Sequence, residues 1–288
     1  MRISFVLALP LALGQLATML MSVVDSILAG RHGLNTLAAV TVGSSIWTVA
    51  LLLCVGVLMA IPPSVSQLNG AGRRREIGPL WRQAGWISLG MGLLLTVLVW
   101  HSPRLLDWIG IVAEVRPEAA DFLRAIAFGA PALSLYFCFR YLSEGLAWTP
   151  PTMLFGIAGL LLLIPIGYAL MFGMGPIPEL GAAGLGYATA LVLWLQALGF
   201  LVYLRRSSRF DDLELFARFD PPNWPVIRNL LALGLPMGVS IFMEGTLFVA
   251  TALLIGRLGA IDVAAHQIAL NVASVCFMLP LGVAMATT

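Results

Sequence analysis

Two carboxylates stand inside stretches of the sequence that are otherwise almost entirely apolar, and they belong to Asp25 and Glu244. An unpaired charge in an apolar medium costs several kcal/mol unless a cation, a proton or a partner group accompanies it. A carboxylate in such surroundings either binds a cation such as Na⁺ or takes up a proton. We therefore interpret Asp25 and Glu244 as ion-binding residues, which couple the ion to a second ligand that competes for the same space.

Polar residues accompany both acids at helical spacing, since intervals of three and four residues place side chains on one helix face. The stripes that contain the acids are Gln15, Thr18, Ser22 and Asp25, and Ser240, Glu244 and Thr251. Two further stripes are Thr41, Ser45 and Thr48, and Gln267, Asn271 and Ser274. The four stripes predict a shared polar cavity. For Ser and Thr alone, the alternative is that their hydroxyls only join neighbouring helices by hydrogen bonds.

The stripes supply a set of candidate residues for binding a cation and a substrate. The set is Asp25, Glu244, Gln267, Asn271, Gln15, Thr18 and Ser45, and its two acids are the candidate Na⁺ ligands. An acidic cavity with aromatic walls suits organic cations. The candidate wall residues are Trp47, Tyr136, Phe137 and Phe248, for which ordinary packing is the alternative.

The elements that carry these residues are predicted to be membrane-spanning helices. Hydrophobic residues make up 60% of the 288 residues and charged residues only 10%, whereas soluble domains carry about 25% charged residues. Apolar runs of about 20 residues separated by short charged loops are typical of spanning helices. The sequence therefore predicts an all-α integral membrane protein with eight spans. They are Ile3–Ala29, Leu37–Ile61, Gly85–Trp100, Ala119–Leu142, Pro151–Phe172, Ala182–Tyr203, Asn229–Ile255 and Asp262–Ala286.

The distribution of arginine predicts the orientation of these spans. The N terminus and the connections that follow even-numbered spans carry eleven of the sixteen arginines. Positive residues are enriched in cytoplasmic loops, so the N terminus is predicted to be cytoplasmic. The longest polar stretch, residues 204–227, contains several prolines and is predicted to be a cytoplasmic linker.

The sequence also contains an internal repeat. A shift of 226 residues brings Pro10 onto Pro236, Gly30-Arg31 onto Gly256-Arg257, and Ala38-Ala39 onto Ala264-Ala265. The seventh span therefore restarts the first in the same orientation, which predicts a parallel repeat about an axis along the membrane normal. We predict a six-helix lobe at 1–203, the linker at 204–227, and the first two helices of a second lobe at 228–288. On this interpretation the rest of the second lobe is missing.

Several segments resemble the multidrug and toxic compound extrusion family, in its NorM-like branch. They are residues 37–47, 56–62 with Gln67 and 70–73, 140–150, and 264–271 running on to Met278 and Pro280. The resemblance implies twelve helices in two six-helix lobes that form a V. It also implies export of cationic, often aromatic drugs, driven by Na⁺ or H⁺. Asp25 matches the family's acid in the first helix, Glu244 its acid in the seventh, and Gln267 and Asn271 its polar positions in the eighth.

The sequence departs from the family pattern at two points. Many members carry two Asn in the fifth span, in a context like that around Leu163 and Gly167, and here both amides are absent. The family also has an acid in its tenth helix, which these 288 residues do not include. We therefore expect the site around Glu244 to be the stronger one and to be incomplete in this chain.

The sequence favours a multidrug efflux antiporter that exports cationic or aromatic compounds in exchange for Na⁺ or H⁺. The alternatives are a truncated remnant that does not transport and a lipid-linked oligosaccharide flippase of the same superfamily, which would need a basic cavity. No nucleophile with a matching base appears, so the chain is predicted not to be an enzyme. We expect no cofactor beyond the coupling ion and no nucleic-acid partner. We expect a monomer, if complete, in the bilayer of the bacterial inner membrane.

Overall fold

The computed structural model describes residues 2–109, 111, 113–174, 176, 178–256 and 273. These residues form an all-helical structure with two short 3₁₀ helices, Arg74–Glu76 and Ser208–Leu213. The α-helices are α1 (Arg2–His32), α2 (Leu34–Leu58), α3 (Ile61–Gly70), α4 (Ile77–His101), α5 (Pro103–Ile109), α6 (Arg116–Ala127), α7 (Ala130–Gly145), α8 (Pro150–Phe172), α9 (Gly181–Arg206) and α10 (Trp224–Gly256).

The first seven predicted spans coincide with helices of the structure. Six helices of the described chain, α1, α2, α4, α8, α9 and α10, are long and apolar enough to cross a membrane. The fourth span corresponds to α6 and α7 together, which meet at an angle of 46°. The bend falls where Pro131 follows Gly129, and proline removes a backbone hydrogen bond at such a break. The predicted eighth span, 262–286, lies outside the described residues apart from Ala273.

The third predicted span is too short, because α4 starts at Ile77, eight residues before the predicted start at Gly85. The hydropathy of the sequence falls in this part of the helix, which contains Arg82 and Gln83. Gln83 is nevertheless 4% exposed, because residues that follow α9 cover this face of α4. Helical structure here extends beyond the apolar run, since polar side chains at the helix start have protein partners.

The long helices differ in how deeply they lie in the protein. In an apolar stretch of 18 residues, 56% of the residues of α9 are buried, whereas the corresponding share for α8 is 22%. α9 packs against α8 on one side and against α6 and α7 on the other. α8 in turn packs along α1, and α2 lies between α1 and α10. The exposed face of α8 carries large apolar side chains such as Leu154 and Leu161, as expected of a helix that faces lipid.

Candidate functional site

Asp25 lies in the last third of α1, on the part of the helix that packs against α8. Its Oδ1 atom is buried and has no hydrogen-bond partner among the described residues. The neighbouring side chains of Met21 and Val24 pack on a small apolar cluster formed by Leu163, Ala188 and Val192 of α8 and α9. One oxygen of the Asp25 carboxylate is therefore buried without a hydrogen-bond partner among the described residues. A bound cation or a proton would supply that partner.

The wall of α8 beside this region is apolar. Leu163 is 0% exposed, and it contributes only hydrocarbon to the cluster. Gly167 lies close to Leu28 of α1, since a Cβ atom at Gly167 would come 3.0 Å from Leu28 Cδ1. Both positions at which the sequence lacks an amide thus face α1 near Asp25. In this chain Asp25 receives no side-chain donor from either position.

The hydroxyl stripes of α1 and α2 bond within their own helices. Thr18 Oγ1 donates to Gly14 O at 3.0 Å on α1, and Ser45 Oγ donates to Thr41 O at 2.9 Å on α2. Ser22, Thr41 and Thr48 also donate to carbonyls three or four residues earlier. All five side chains are exposed. The structure therefore does not support the interpretation that these hydroxyls join neighbouring helices, and it leaves their oxygens accessible as acceptors. Gln15, on the same helix, is half-buried.

The candidate aromatic walls for which the structure describes the side chain belong to the hydrophobic core. Trp47, Tyr136 and Phe137 are 8%, 6% and 7% exposed. All three pack in the large apolar cluster that joins α2, α4, α6, α7 and α9. Their role is therefore packing, which was the alternative from the sequence. The side chain of Phe248 lies outside the described part of the chain.

Glu244 is exposed on α10, next to the face that packs on α2. The adjacent Gly245 faces α2, since a Cβ atom there would meet Leu52 Cδ1 at 2.6 Å. Glu244 therefore lies at the edge of this contact. Ser240, one turn earlier on the same stripe, is also exposed.

The α2–α10 contact is a close approach of two helix backbones. A Cβ atom at Gly56 would collide with the Cα atom of Gly238, and one at Gly234 would collide with the carbonyl oxygen of Val57. Glycines at contact positions allow helix axes to come together in membranes, as in the small-xxx-small pattern that Gly234 and Gly238 form. This contact determines where α10 presents Glu244.

Two of the candidate residues, Gln267 and Asn271, lie outside the described residues. Within the described ranges, no group of three or more His, Cys, Asp or Glu side chains is arranged to hold a metal ion. A cation-binding role for Asp25 and Glu244 therefore rests on single carboxylates with backbone and hydroxyl oxygens, a ligand type that suits Na⁺ or a proton better than a transition metal.

A buried ion pair lies near the end of α7, next to the start of α8. Arg140 Nε donates to Glu144 Oε1 at 2.6 Å, and their side chains are 2% and 7% exposed. Thr152 Oγ1 donates to the same Glu144 oxygen at 3.1 Å. The two residues are four apart on α7, the spacing at which opposite charges meet on a helix surface. Their burial is not a property of this spacing, and it agrees with the buried aromatic residues Tyr136 and Tyr141 on the same helix.

His32 forms a second contact that the sequence does not reveal. Its Nε2 atom lies 2.8 Å from Glu179 Oε1, and its Nδ1 atom lies 2.9 Å from Thr36 Oγ1. The ring also packs on Phe172, with 5.6 Å between ring centroids. His32 thus joins the ends of α1 and α8 to the start of α2 and the segment before α9.

A family model named MatE matches residues 10–169 and 236–288 of the sequence. The chain belongs to the MatE family. Asp25 and Glu244 both fall within the matched residues, and so do Gln267 and Asn271. The two matched segments begin at Pro10 and Pro236, which is the same interval of 226 residues as the internal repeat. Members of the MatE family are membrane carriers, which agrees with the prediction that the chain is not an enzyme.

Relatives in the MatE family match over the whole chain. The chain is 54% identical over 287 residues to the probable multidrug resistance protein NorM of Xanthomonas campestris pv. campestris, and it covers 63% of that protein. It is 42% identical over 283 residues to the multidrug resistance protein PmpM of Pseudomonas aeruginosa, and it covers 59% of that protein. The chain therefore spans less than two thirds of the length of the relatives it matches. This agrees with the expectation that the family fold is longer than these residues.

Solved MatE structures share the fold. The MATE transporter NorM-NG, solved in a complex that includes a monobody, superposes with a TM-score of 0.79 and 31% sequence identity, covering 97% of this chain and 61% of the transporter. An outward-facing multidrug resistance MATE family transporter of the MOP superfamily gives a TM-score of 0.87 at 20% identity, covering 99% and 63%. The described helices thus adopt the arrangement of the corresponding part of a MATE transporter.

Proposed function

We propose that this chain forms part of a multidrug efflux antiporter, which expels cationic or aromatic compounds in exchange for Na⁺ or H⁺. Membership of the MatE family and two relatives named multidrug resistance proteins support efflux of drugs. The acidic character of the candidate residues supports cationic substrates. A flippase for lipid-linked oligosaccharides would need basic residues along the polar stripes, and the stripes contain none.

The observation that carries the proposal is the buried Oδ1 atom of Asp25, which has no partner among the described residues. Keeping a charged group inside a transmembrane helix without a partner is costly, and such residues mark ion or proton pathways. Binding of Na⁺ or H⁺ would neutralise the carboxylate and remove this cost. A cationic substrate in the same place would do the same, so ion and drug exclude each other.

Glu244 is proposed to serve the second half of the transporter, together with Gln267 and Asn271. Its carboxylate lies at the edge of the α2–α10 contact, and Gln15, Thr18 and Ser45 of α1 and α2 are proposed to contribute to the same cavity. Since Leu163 and Gly167 give Asp25 no amide donor, we propose that Glu244 binds the cation more strongly than Asp25 does.

Replacing Asp25 with Asn or Glu244 with Gln is expected to reduce efflux of a fluorescent cationic dye to the level of cells that lack the protein. Both changes keep the side-chain size and remove the negative charge on which ion and drug depend. Dye efflux is measured in cells that express the native gene with or without each substitution. An immunoblot of the membrane fraction controls for the amount of protein. Glu114→Gln is the matched control, because Glu114 is an exposed acid outside the helices. Undiminished efflux by both site variants would contradict the proposed roles.

The coupling ion is assigned by driving transport with one gradient at a time. Inverted membrane vesicles that contain the protein receive either a Na⁺ gradient at constant pH or a pH gradient without Na⁺, and dye accumulation is recorded. Uptake with only one of the two gradients identifies the coupling ion. This uptake is expected to be lost in the Asp25→Asn variant. The antiport mechanism is wrong if neither gradient drives uptake, or if the uptake persists in that variant.

We also propose that the protein is a monomer in the bacterial inner membrane, with a cytoplasmic N terminus. The arginine distribution supports this orientation. In it, residues 1–203 form the first lobe, 204–227 form a cytoplasmic connection, and 228–288 begin the second lobe. The interval between the two segments that match the MatE model supports a two-lobe organisation.

A further inference from the structure

The residues between α9 and α10 are bound along the first turns of α4. Arg82 Nε donates to Asp220 Oδ2 at 2.7 Å, and Arg82 Nη1 donates to the carbonyl oxygens of Glu214 and Leu215 at 2.8 and 3.3 Å. One guanidinium therefore binds both a carboxylate and two backbone carbonyls of this segment. Guanidinium groups are suited to such multiple binding, because their donors form a rigid, planar fork.

Two further side chains of α4 bind the backbone of the same segment. Gln83 Nε2 donates to Pro221 O at 3.0 Å, and Gln83 Oε1 accepts from Asn223 N at 2.7 Å. Trp86 Nε1 donates to Asp220 O at 3.1 Å. Residues 82, 83 and 86 share one face of a helix, since Trp86 follows Arg82 by four residues. We call Arg82, Gln83 and Trp86 the α4 clamp.

The α4 clamp is well shielded from solvent, which distinguishes it from an ordinary surface ion pair. The side chain of Arg82 is 10% exposed and that of Asp220 is 21% exposed. Gln83 is 4% exposed. Charged hydrogen bonds that are partly withdrawn from water are stronger than those at the surface. The segment is thus held firmly along its length, and loss of one member of the clamp leaves buried carbonyl or amide groups without partners.

A second, more exposed contact fastens the segment nearer to α9. Arg74 Nε donates to Asp212 Oδ2 at 2.6 Å, and Arg74 Nη1 donates to Asn69 Oδ1 at 2.9 Å. The hydrogen bond from Arg74 lowers the pKa of the Asp212 carboxyl below its ordinary value. Arg74 therefore fixes the 3₁₀ helix Ser208–Leu213 to the end of α3, whereas the α4 clamp binds residues 214–223, which lead into α10.

The clamp acts directly on the start of α10. Asn223, whose amide it binds, is the residue before Trp224, where α10 begins. Gly234 and Gly238 follow Asn223 by eleven and fifteen residues, which corresponds to roughly 16 and 22 Å along the helix at 1.5 Å per residue. A slip of one residue would rotate α10 by about 100°. It would then turn Leu235 or Val239 toward the backbone of α2 in place of a glycine.

We propose that Arg82, Gln83 and Trp86 are positioning residues, which fix the register of α10 against α2 by holding residues 214–223 on α4. The proposed effect on the position of α10 rests on these contacts and on the α2–α10 contact, and it does not rest on the proposed function. Its consequence for Glu244, which lies on α10, rests on the proposed function. The segment between α9 and α10 is accordingly a rigid connection that positions α10, and not a flexible linker.

The test measures the distance between α4 and α10 in the membrane-embedded protein. Spin labels are attached at Leu93 and Val239, which are 58% and 56% exposed, after the three native cysteines have been replaced. The labelled protein with an intact α4 clamp is expected to give one narrow distance distribution by double electron–electron resonance. Arg82→Gln is expected to broaden or shift it, and so is Asp220→Asn, which removes the ion pair from the less buried side and keeps α4 unchanged.

Arg75→Gln is the matched control, because Arg75 is an exposed arginine of the same surface outside the clamp. It is expected to leave the distribution unchanged. A distribution that stays narrow and unshifted in both Arg82→Gln and Asp220→Asn would overturn the proposal. The measurement needs no transport, so a failure of the clamp proposal is distinguishable from a failure of the proposed antiport. If the clamp variants shift α10 and dye efflux also falls, the register of α10 sets the position of Glu244.

Discussion

Replacing Arg140 with Ala is expected to lower the free energy of unfolding by about 3–5 kcal/mol, the usual cost of leaving one member of a buried ion pair without its partner. Arg140 is 2% exposed, and its Nε atom donates to Glu144 Oε1 at 2.6 Å. Without the guanidinium, the hydroxyl of Thr152 would be the only side-chain donor left to the Glu144 carboxylate among the residues that the structure describes. The loss of packing around Phe137, over which the guanidinium lies, adds to the cost.

Reversible unfolding of the purified protein in mixed micelles, followed by tryptophan fluorescence, measures this change. Arg73→Ala is the matched control. Arg73 also pairs with a nearby acid, Glu76, three residues later in the chain, but both side chains are more than half exposed. Surface pairs contribute about 0–1 kcal/mol, so this variant should be nearly as stable as the original protein.

A double variant, Arg140→Met with Glu144→Leu, tests the reason for the effect. If the cost of Arg140→Ala comes from the unpaired carboxylate, removing both charges should recover most of the lost stability, because apolar groups of similar volume often replace a buried pair without loss. A double variant as unstable as Arg140→Ala would assign the effect to packing instead. A loss below about 1 kcal/mol for Arg140→Ala would show that the pair behaves like one at the surface.

The spans could be predicted from the sequence because the membrane imposes a local rule. Each helix must carry its own apolar run and satisfy its own backbone hydrogen bonds. The start of α4 could not be predicted in this way. Arg82 and Gln83 are polar, and their place in the first turns of α4 depends on partners about 138 residues further along the chain. Such contacts leave no local pattern in hydropathy.

The candidate site was predictable to a similar extent. A single acid in an apolar run identifies Asp25 as unusual, because the cost of the charge is a property of that residue and its immediate neighbours. Only the family resemblance indicates from the sequence that Leu163 and Gly167 lie beside it, since their position depends on how α8 packs along α1 and leaves no local pattern. The stripes on α1 and α2 lie on helix faces as predicted, whereas the stripe of Gln267, Asn271 and Ser274 lies outside the described residues. The bonding of their hydroxyls within each helix required the atomic positions.

The glycines of the α2–α10 contact illustrate the same limit, and they carry the second large expected effect. Replacing Gly56 with Ala is expected to force α2 and α10 apart, since the new Cβ atom would collide with the Cα atom of Gly238. The colliding atom belongs to a helix backbone, so no side-chain rotation relieves the overlap. Overpacking of this kind costs about 1–3 kcal/mol. Gly234→Ala is expected to act in the same way, because its Cβ atom would collide with the carbonyl oxygen of Val57.

Gly238→Ala provides a matched control within the same contact. A Cβ atom at Gly238 would have its nearest neighbour, the carbonyl carbon of Gly56, at 3.4 Å, which is an ordinary van der Waals distance. Three glycines in one interface are therefore expected to tolerate the same substitution very differently, although their local sequences look alike. The spin-label distance between α4 and α10 and the unfolding free energy should both change for Gly56→Ala and Gly234→Ala, and both should stay near their original values for Gly238→Ala. Equally small effects at all three positions would mean that the helices approach each other less closely in the membrane than this contact requires. Dye efflux should follow the same order if Glu244 has the proposed role, because a displaced α10 changes the position of Glu244 relative to α2.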